Sequence, residues 1–363
     1  MLRETHRRVK QIWPDATIAI HGHVPARASE MRQTTLTVAD GWGRGSVASQ
    51  HKAIYPTASR RSRHGGNIVN AHEIDLILDI SGFALSDQWG WRKSARVALY
   101  TNHAKAHNTP VIFLPQSFGP FEQRRTHFFS KRALAAASCI HARDLQSYDV
   151  VSHMLGSSNQ IRRTPDLTIP VTVAPTVDVE PGTVALVPNI RLTDMGGKTE
   201  GEHVVQAFAD LGRKLQRHGL RVVVAPHTTE QGDHDLSAQL AEKLNPEAPV
   251  WEGIDAYTMK ARLAACHLVV AARYHAAVAA LSSGVPCIVV GWSHKYASLV
   301  EDFGLDIEQH CVQASRLQAG NLYELAVSIL SEREPVSEIL LDRTAKLSDD
   351  VEQMWTSLAD FSC

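Results

Sequence analysis

Strand-length apolar runs alternate with segments of helical period along almost all of this 363-residue chain. In the first half the runs are "ATIAIHG", "DLILDISG", "VIFLPQS" and "CIHAR". Helix-like segments, "WRKSARVALYTNHAKAHN" and "RRTHFFSKRALAAAS", separate the last three. In the second half come "VALVPN", "LRVVVAPH", "LVVAA" and "VPCIVVGW", again with helical segments between most of them. Strands that are apolar at nearly every position must be covered on both faces, and the economical way to do that is a parallel sheet with helices on each side. The alternation therefore predicts an α/β protein of doubly wound type.

The length suits two domains, and one stretch divides them. Residues 168–183, "TIPVTVAPTVDVEPGT", carry prolines, valines and threonines without helical period, which reads as an extended connector. The expected organisation is a first domain over 1–170, a linker over 171–183, a second domain over 184–345 and a C-terminal helix over 346–363. In the second domain Val204, Phe208, Leu211 and Leu215 recur at helical steps up to a stop at Gly219. Residues 41–72 are rich in Gly, Ser, Arg and His with little periodicity, as in an active-site lid or a solvated insertion.

Charge and cysteine usage narrow the function classes. With 37 basic and 38 acidic residues the formal net charge is −1, which does not suit a nucleic-acid-coating surface. The apolar runs are too short to span a bilayer, and no secretory leader opens the chain, so a cytoplasmic location is expected. The cysteines (Cys139, Cys266, Cys287, Cys311 and Cys363) are odd in number and never spaced C-x-x-C. That excludes a recognisable disulfide frame or zinc site, and no metal is expected.

In an open parallel sheet, ligands gather beyond the carboxyl ends of the strands, so polar residues just after apolar runs are the ones to examine. Asn189 and Arg191 follow "VALVP". His227 follows "LRVVVAP", with Asp233 and Asp235 soon after. Arg273 and His275 follow "LVVAA", and Ser293, His294 and Lys295 follow "VPCIVVGW". In the first half Ser81, Gly82 and Asp87 follow "DLILDI", and Gln116 and Ser117 close "VIFLP". Arginine forks and a lysine suit a small dense anion, and no acidic cluster is evident to favour a metal instead. A single strand-end arginine is more often a surface ion pair than a ligand clamp. Arg273 and His275 stand out because Ala271, Ala272, Ala276 and Ala277 flank them and leave room for a ligand at the backbone. His227 and His294 read equally well as packed or as ligand-facing.

These pieces together resemble the polysaccharide pyruvyl transferases. The resemblance is carried by the R-x-H of "ARYHAAVAALSSGVPCIVV" with the following Lys295, and by "VIFLPQSFGPF". "DLILDISG", the "ARD" at 142–144 and the "PD" at 165–166 add to it. It implies a glycosyltransferase-B-like fold, two Rossmann-like domains with parallel sheets facing a cleft. It also implies transfer of the enolpyruvyl carbons of phosphoenolpyruvate to two hydroxyls of one sugar, giving a cyclic ketal and phosphate. On that reading Arg273 and His275 hold the donor and act in catalysis, with Arg191, Asn189 and Lys295 on the donor side. Ser81, Asp87, Gln116 and Ser117 form the acceptor side, Asp87 as a base. Phosphoenolpyruvate is a substrate, so no cofactor is expected. The implied partners are a sugar or lipid-linked oligosaccharide and, peripherally, membrane glycan-assembly machinery. Oligomeric state has no signature in the sequence. Replacing Arg273 with alanine is expected to abolish turnover and leave the fold intact.

The chain departs from the family at its start. Members usually open with a strand and an N-x-G-D turn, whereas Met1 leads straight into "LRETHRRVKQIW", so the first domain is expected to lack its opening strand. Two other readings stand beside this one. A nucleotide-sugar glycosyltransferase of the same fold commonly carries a ribose-binding glutamate where this chain has the acid-free "AAVAALSSG". A non-catalytic member of a glycan-assembly complex would retain the fold without turnover.

Overall fold

The computed structural model describes residues 1–20, 35–38, 68–69, 73–156, 160–174, 178–192, 197–228, 231–244, 248–252, 254–291, 293–317 and 319–360. The chain divides into two compact units, one made of Met1–Leu167 with Val351–Cys363, the other of Thr168–Asp350. Each has a parallel sheet flanked by helices, giving a two-domain Rossmann-like α/β protein.

The first unit opens with α1 (Leu2–Ile12) and no strand before it. Strand β1 (Ile18–Ile20) pairs in parallel with β2 (Thr35–Val38), and β2 with β3 (Ile68–Val69), as a small sheet of their own. Apart from β3, the expected lid or insertion at 41–72 lies outside the described residues. The main sheet has the order β4-β5-β6-β7, all parallel: β4 (Ile77–Asp79), β5 (Val111–Gln116), β6 (Cys139–Ala142) and β7 (Ile161–Arg163). Helices α2 (Trp91–Ala106), α3 (Arg124–Ala135) and α4 (Leu145–Leu155) make the crossovers. Val111, Phe113, Ile140 and Ala142 pack with residues of these helices. Ile112 and Leu114 point the other way, into a cluster with Met354, Trp355 and Leu358 near the C-terminus. Strand side chains alternate between faces, so a six-residue strand can be fully buried only when both faces are covered.

The second unit repeats the scheme with the order β12-β11-β10-β8-β9, again all parallel. Its elements are β8 (Thr183–Val187), α5 (Gly197–Arg217), β9 (Arg221–Val224), α6 (Gln231–Leu244), α7 (Ala256–Ala264), β10 (Leu268–Ala271) and α8 (Tyr274–Leu281). They continue with β11 (Cys287–Gly291), α9 (His294–Asp302), α10 (Ile307–His310), β12 (Cys311–Gln313), α11 (Ala319–Ser331) and α12 (Arg333–Ala359). Ala185, Val269 and Val289 face one apolar cluster with α8 and α9, whereas Leu186, Val270 and Val290 face another with α5, α6 and α11. Full burial of the valine and leucine side chains among these stabilises by about 1.5–3 kcal/mol each. Helix α5 stops where Gly219 takes φ +80°, a left-handed conformation that side chains other than hydrogen tolerate poorly. The final helix begins at Arg333, ahead of the expected start at 346, and its residues from Val351 onward belong to the first unit. Among the described residues no helix is long and apolar enough to cross a membrane.

His141 in β6 is 1 % exposed, with Nδ1 2.8 Å from Thr164 Oγ1. Burial pushes this imidazole down to about 4, and the positive charge of Arg162 acts in the same direction. Above about pH 6.5 the ring is neutral in both folded and unfolded chains and contributes no pH dependence. Between 6.5 and 4 the unfolded chain takes up a proton that the folded chain refuses, so stability falls with acidification. Urea midpoints at pH 7 and pH 5 are expected to converge in a His141→Asn variant, recovering a difference of about 1–2 kcal/mol. An unchanged pH response in the variant would remove His141 as the source.

Candidate functional site

Strand order in the second unit reverses at β8. From β8 the sheet grows through β9 in one direction and through β10, β11 and β12 in the other. Between two crossovers that leave in opposite directions, loops splay and open a crevice at the carboxyl ends. Asn189 sits at that point, after β8, and is 3 % exposed. Its Nδ2 donates to the carbonyl of Ala272 beyond β10 at 2.9 Å, and its Oδ1 accepts from Arg191 N at 2.9 Å. Asn189 therefore ties the two strand ends together and sets the backbone of Arg191. It acts at least as a positioning residue, with one hydrogen bond to main chain at each end of its amide.

Arg273 is the residue before the first turn of α8, with φ −103° and ψ 124°. Its Nε donates to Asp233 Oδ2 at 2.6 Å, and Nη2 pairs with the same oxygen. Asp233, in the first turn of α6, is fully buried, and its Oδ1 accepts from Ile190 N at 2.8 Å. A buried carboxylate thus fixes the plane of the guanidinium, which keeps 19 % side-chain exposure. The contact draws on two of the five guanidinium donors. Asp233, one of the two acids that follow His227 in the sequence, opposes Arg273 directly. Its only sequence signal is an acid at the start of the helix after β9. Gly232 lets that turn close: an added Cβ would stand 3.2 Å from Ile190 Cγ1.

Around Arg273 the neighbouring strand ends add further groups. The His275 ring meets the Tyr274 ring edge-on at 5.6 Å, and Tyr274 meets Tyr296 at 6.0 Å. Lys295 Nζ lies 5.7 Å from the Tyr274 ring centre and 5.2 Å from that of Tyr296, so two electron-rich faces hold the ammonium. Tyr296 OH donates to Ala272 O at 3.3 Å. The close approach of Tyr296 requires Gly291, where a Cβ would stand 2.5 Å from Tyr296 Cβ. Burial pushes the His227 imidazole down to about 4, and Arg273 pushes it the same way, so the ring is neutral beside the guanidinium. His294 opens α9, one residue before Lys295. The second unit thus brings Arg191, His227, Arg273, His275 and Lys295 to the carboxyl ends of four adjacent strands.

The first unit treats its expected acceptor residues differently. Ser81 is exposed; its Oγ donates to Asp79 Oδ1 at 2.5 Å and lies 3.1 Å from Gln116 Oε1. Asp79, at the end of β4, also accepts from Tyr100 OH and from Gln116 Nε2, the latter at 3.3 Å. Asp79 is thus the hub of a network that joins the expected residues Ser81 and Gln116 to Tyr100. Gln116 and Ser117 are both fully buried. Ser117 Oγ donates to Asp144 Oδ2 at 2.7 Å and accepts from Arg143 Nη2 at 3.0 Å. Arg143 Nη1 donates to Asp166 Oδ2 at 2.9 Å in a buried ion pair. The "PQS", "ARD" and "PD" motifs therefore form one internal polar network beyond β5, β6 and β7. Asp87 accepts from the N–H groups of Glu122 and Gln123 at 2.6 and 3.2 Å and so fixes the start of α3. Of the four expected acceptor-side residues, Gln116 and Ser117 are thus enclosed, and the half-buried Asp87 carboxylate is engaged by main chain.

Among solved structures, the chain is similar to Anabaena HepE in complex with UDP and glucose, at 13 % identity and a TM-score of 0.53, covering 95 % of this chain and 98 % of that one. It is also similar to the UDP-GlcNAc 2-epimerase of Neisseria meningitidis bound to UDP-GlcNAc, at 8 % identity and a TM-score of 0.59, over 98 % and 96 % of the two chains. A third is the trehalose-6-phosphate synthase OtsA, at 11 % identity and a TM-score of 0.52, over 96 % and 100 %. At such identities the likeness speaks for the fold, which is of glycosyltransferase-B type. The polysaccharide pyruvyl transferase family model matches residues 5–294, a span that holds the Arg273–His275 corner, the buried Arg143 network and both main sheets apart from edge strand β12. On that match the chain belongs to the polysaccharide pyruvyl transferase family.

Proposed function

We propose that this transferase moves the pyruvyl group of phosphoenolpyruvate onto two hydroxyls of a sugar in a polysaccharide or its precursor. The observation that carries the reading is the Asp233-oriented Arg273 at the strand switch point, with His275 and Lys295 beside it. Phosphoenolpyruvate presents a carboxylate and a phosphate on three carbons, and a pre-set guanidinium with a nearby ammonium matches two such anions. Holding the donor in a reactive pose contributes several kcal/mol in favourable cases.

In the transfer, C3 of the donor takes a proton and C2 gains positive character. A sugar hydroxyl oxygen bonds to C2, the C2–O bond to phosphate breaks, and a second hydroxyl oxygen closes the ketal. One hydroxyl proton balances the new methyl group and the other leaves on inorganic phosphate. His275 is the group assigned to move the proton, since an imidazole can act as general acid or general base. Ser81 is the acceptor-side residue that remains accessible.

The rival within the fold is transfer from a nucleotide sugar. The acid-free first turns of α8, "YHAAVAAL", favour the pyruvyl reading, since no carboxylate is there for a ribose. Thermal unfolding separates the two. A rise in melting temperature with phosphoenolpyruvate, together with phosphate release and the mass gain of one ketal-linked pyruvate on a glycan acceptor, supports the proposal. Stabilisation by a uridine diphosphate sugar alone overturns it.

A further inference from the structure

We propose that the outer face of α2 and α3 docks on an anionic phospholipid bilayer. The two helices pack side by side in the first unit. Each carries four lysines or arginines and no acid, in a chain whose 37 bases and 38 acids are otherwise balanced. All eight of these cations are exposed. Of the acids that flank the helices in sequence, Asp87 is bound to main-chain N–H groups, whereas Glu122 is exposed beside the start of α3.

Aromatic rings run through the same face. Arg92 and Arg125 lie 4.9 and 5.4 Å from the Trp91 ring centre, and Trp91 stacks on Phe129 at 5.9 Å. Phe129 meets Phe128 at 5.2 Å, and Phe128, 54 % exposed, has Arg132 5.8 Å from its ring. Trp89, 37 % exposed, carries Lys93 at 5.0 Å. Apolar rings tipped with guanidinium and ammonium groups match the boundary between acyl chains and anionic headgroups, where each half finds its own solvent. An RNA or an acidic glycan would satisfy the charge, but would give the open Phe128 ring no hydrocarbon to enter. A bilayer gives it both.

The inference is independent of the pyruvyl-transfer reading, since none of these side chains belongs to the donor or acceptor groups described above. Cosedimentation of the full chain with phosphatidylcholine vesicles, with and without phosphatidylglycerol, tests it. Binding is expected to the anionic vesicles only, and to weaken strongly between about 0.1 and 0.5 M salt. A variant carrying Arg96→Gln, Arg125→Gln, Lys131→Gln and Arg132→Gln is expected to lose about 600-fold in affinity, at roughly fivefold per cation, with unchanged melting temperature. Phe128→Ser is expected to weaken binding while preserving the salt dependence. Equal sedimentation with neutral vesicles, no sedimentation with either, or undiminished binding by the fourfold variant overturns the proposal. So does binding of RNA or of an acidic polysaccharide in place of vesicles.

Discussion

Arg273→Lys is expected to lower kcat/KM for phosphoenolpyruvate by about 10²–10³-fold, equivalent to about 3–4 kcal/mol of transition-state stabilisation. Lysine keeps a positive charge near Asp233, so the buried carboxylate still faces a cation and the fold is expected to persist. A single ammonium does not reproduce a planar fork that grips Asp233 through Nε and Nη2 while presenting a charged plane at the strand ends. Phosphate release measured with a glycan acceptor, beside a melting curve, reads both halves of the prediction. Activity within a fewfold of the parent would remove Arg273 from the donor site. Alanine is the poorer probe, which amends the expectation of an intact fold drawn from sequence. Arg273→Ala strips the counter-charge from Asp233, which is fully buried, and removing one member of such a pair costs about 3–5 kcal/mol.

Arg143→Ala is expected to destabilise the protein by a similar amount, about 3–5 kcal/mol, with no donor contact involved. Both partners of the Arg143–Asp166 pair are buried, at 3 % and 0 % side-chain exposure, so the orphaned Asp166 cannot recover its hydration. The same guanidinium donates to Ser117 Oγ, and its loss leaves that hydroxyl short of a donor as well. The expected reading is a lowered urea midpoint. A double variant, Arg143→Met with Asp166→Leu, should recover part of the loss, because two apolar groups leave no buried charge behind. If Arg143→Ala unfolds at the parent's midpoint, the network is not the brace described here.

The main-sheet strands that periodicity could see are those buried on both faces, such as "VIFLPQ" and "CIVVG". Two of the four edge strands escaped it, although β4 and β9 did not. In β7, Ile161 is buried while Arg162 and Arg163 are exposed, and a run of three residues has no period to read. Strand β12 is as short and only partly buried. The rule that polar residues after strands face ligands picked out Arg273, His275 and Lys295, which stand at the carboxyl ends of β10 and β11. The same rule gathered in Gln116, Ser117 and Asp87, whose partners lie 27 to 37 positions away in the chain and are invisible to local pattern. Asp233 was named after β9 without a role for the same reason, since its importance comes from Arg273, 40 positions later.

What the sequence determined alone was the kind of fold, because burial on both faces of a strand and on one face of a helix leaves a periodic mark that needs no partner to be read. It also marked the strand ends where chemistry could gather. Only the tertiary structure decided which polar groups there face solvent and which are spent on one another. A carboxylate's role depends on the dielectric around it and on the donors within hydrogen-bond reach, and those are set by residues that the fold, not the chain, makes neighbours.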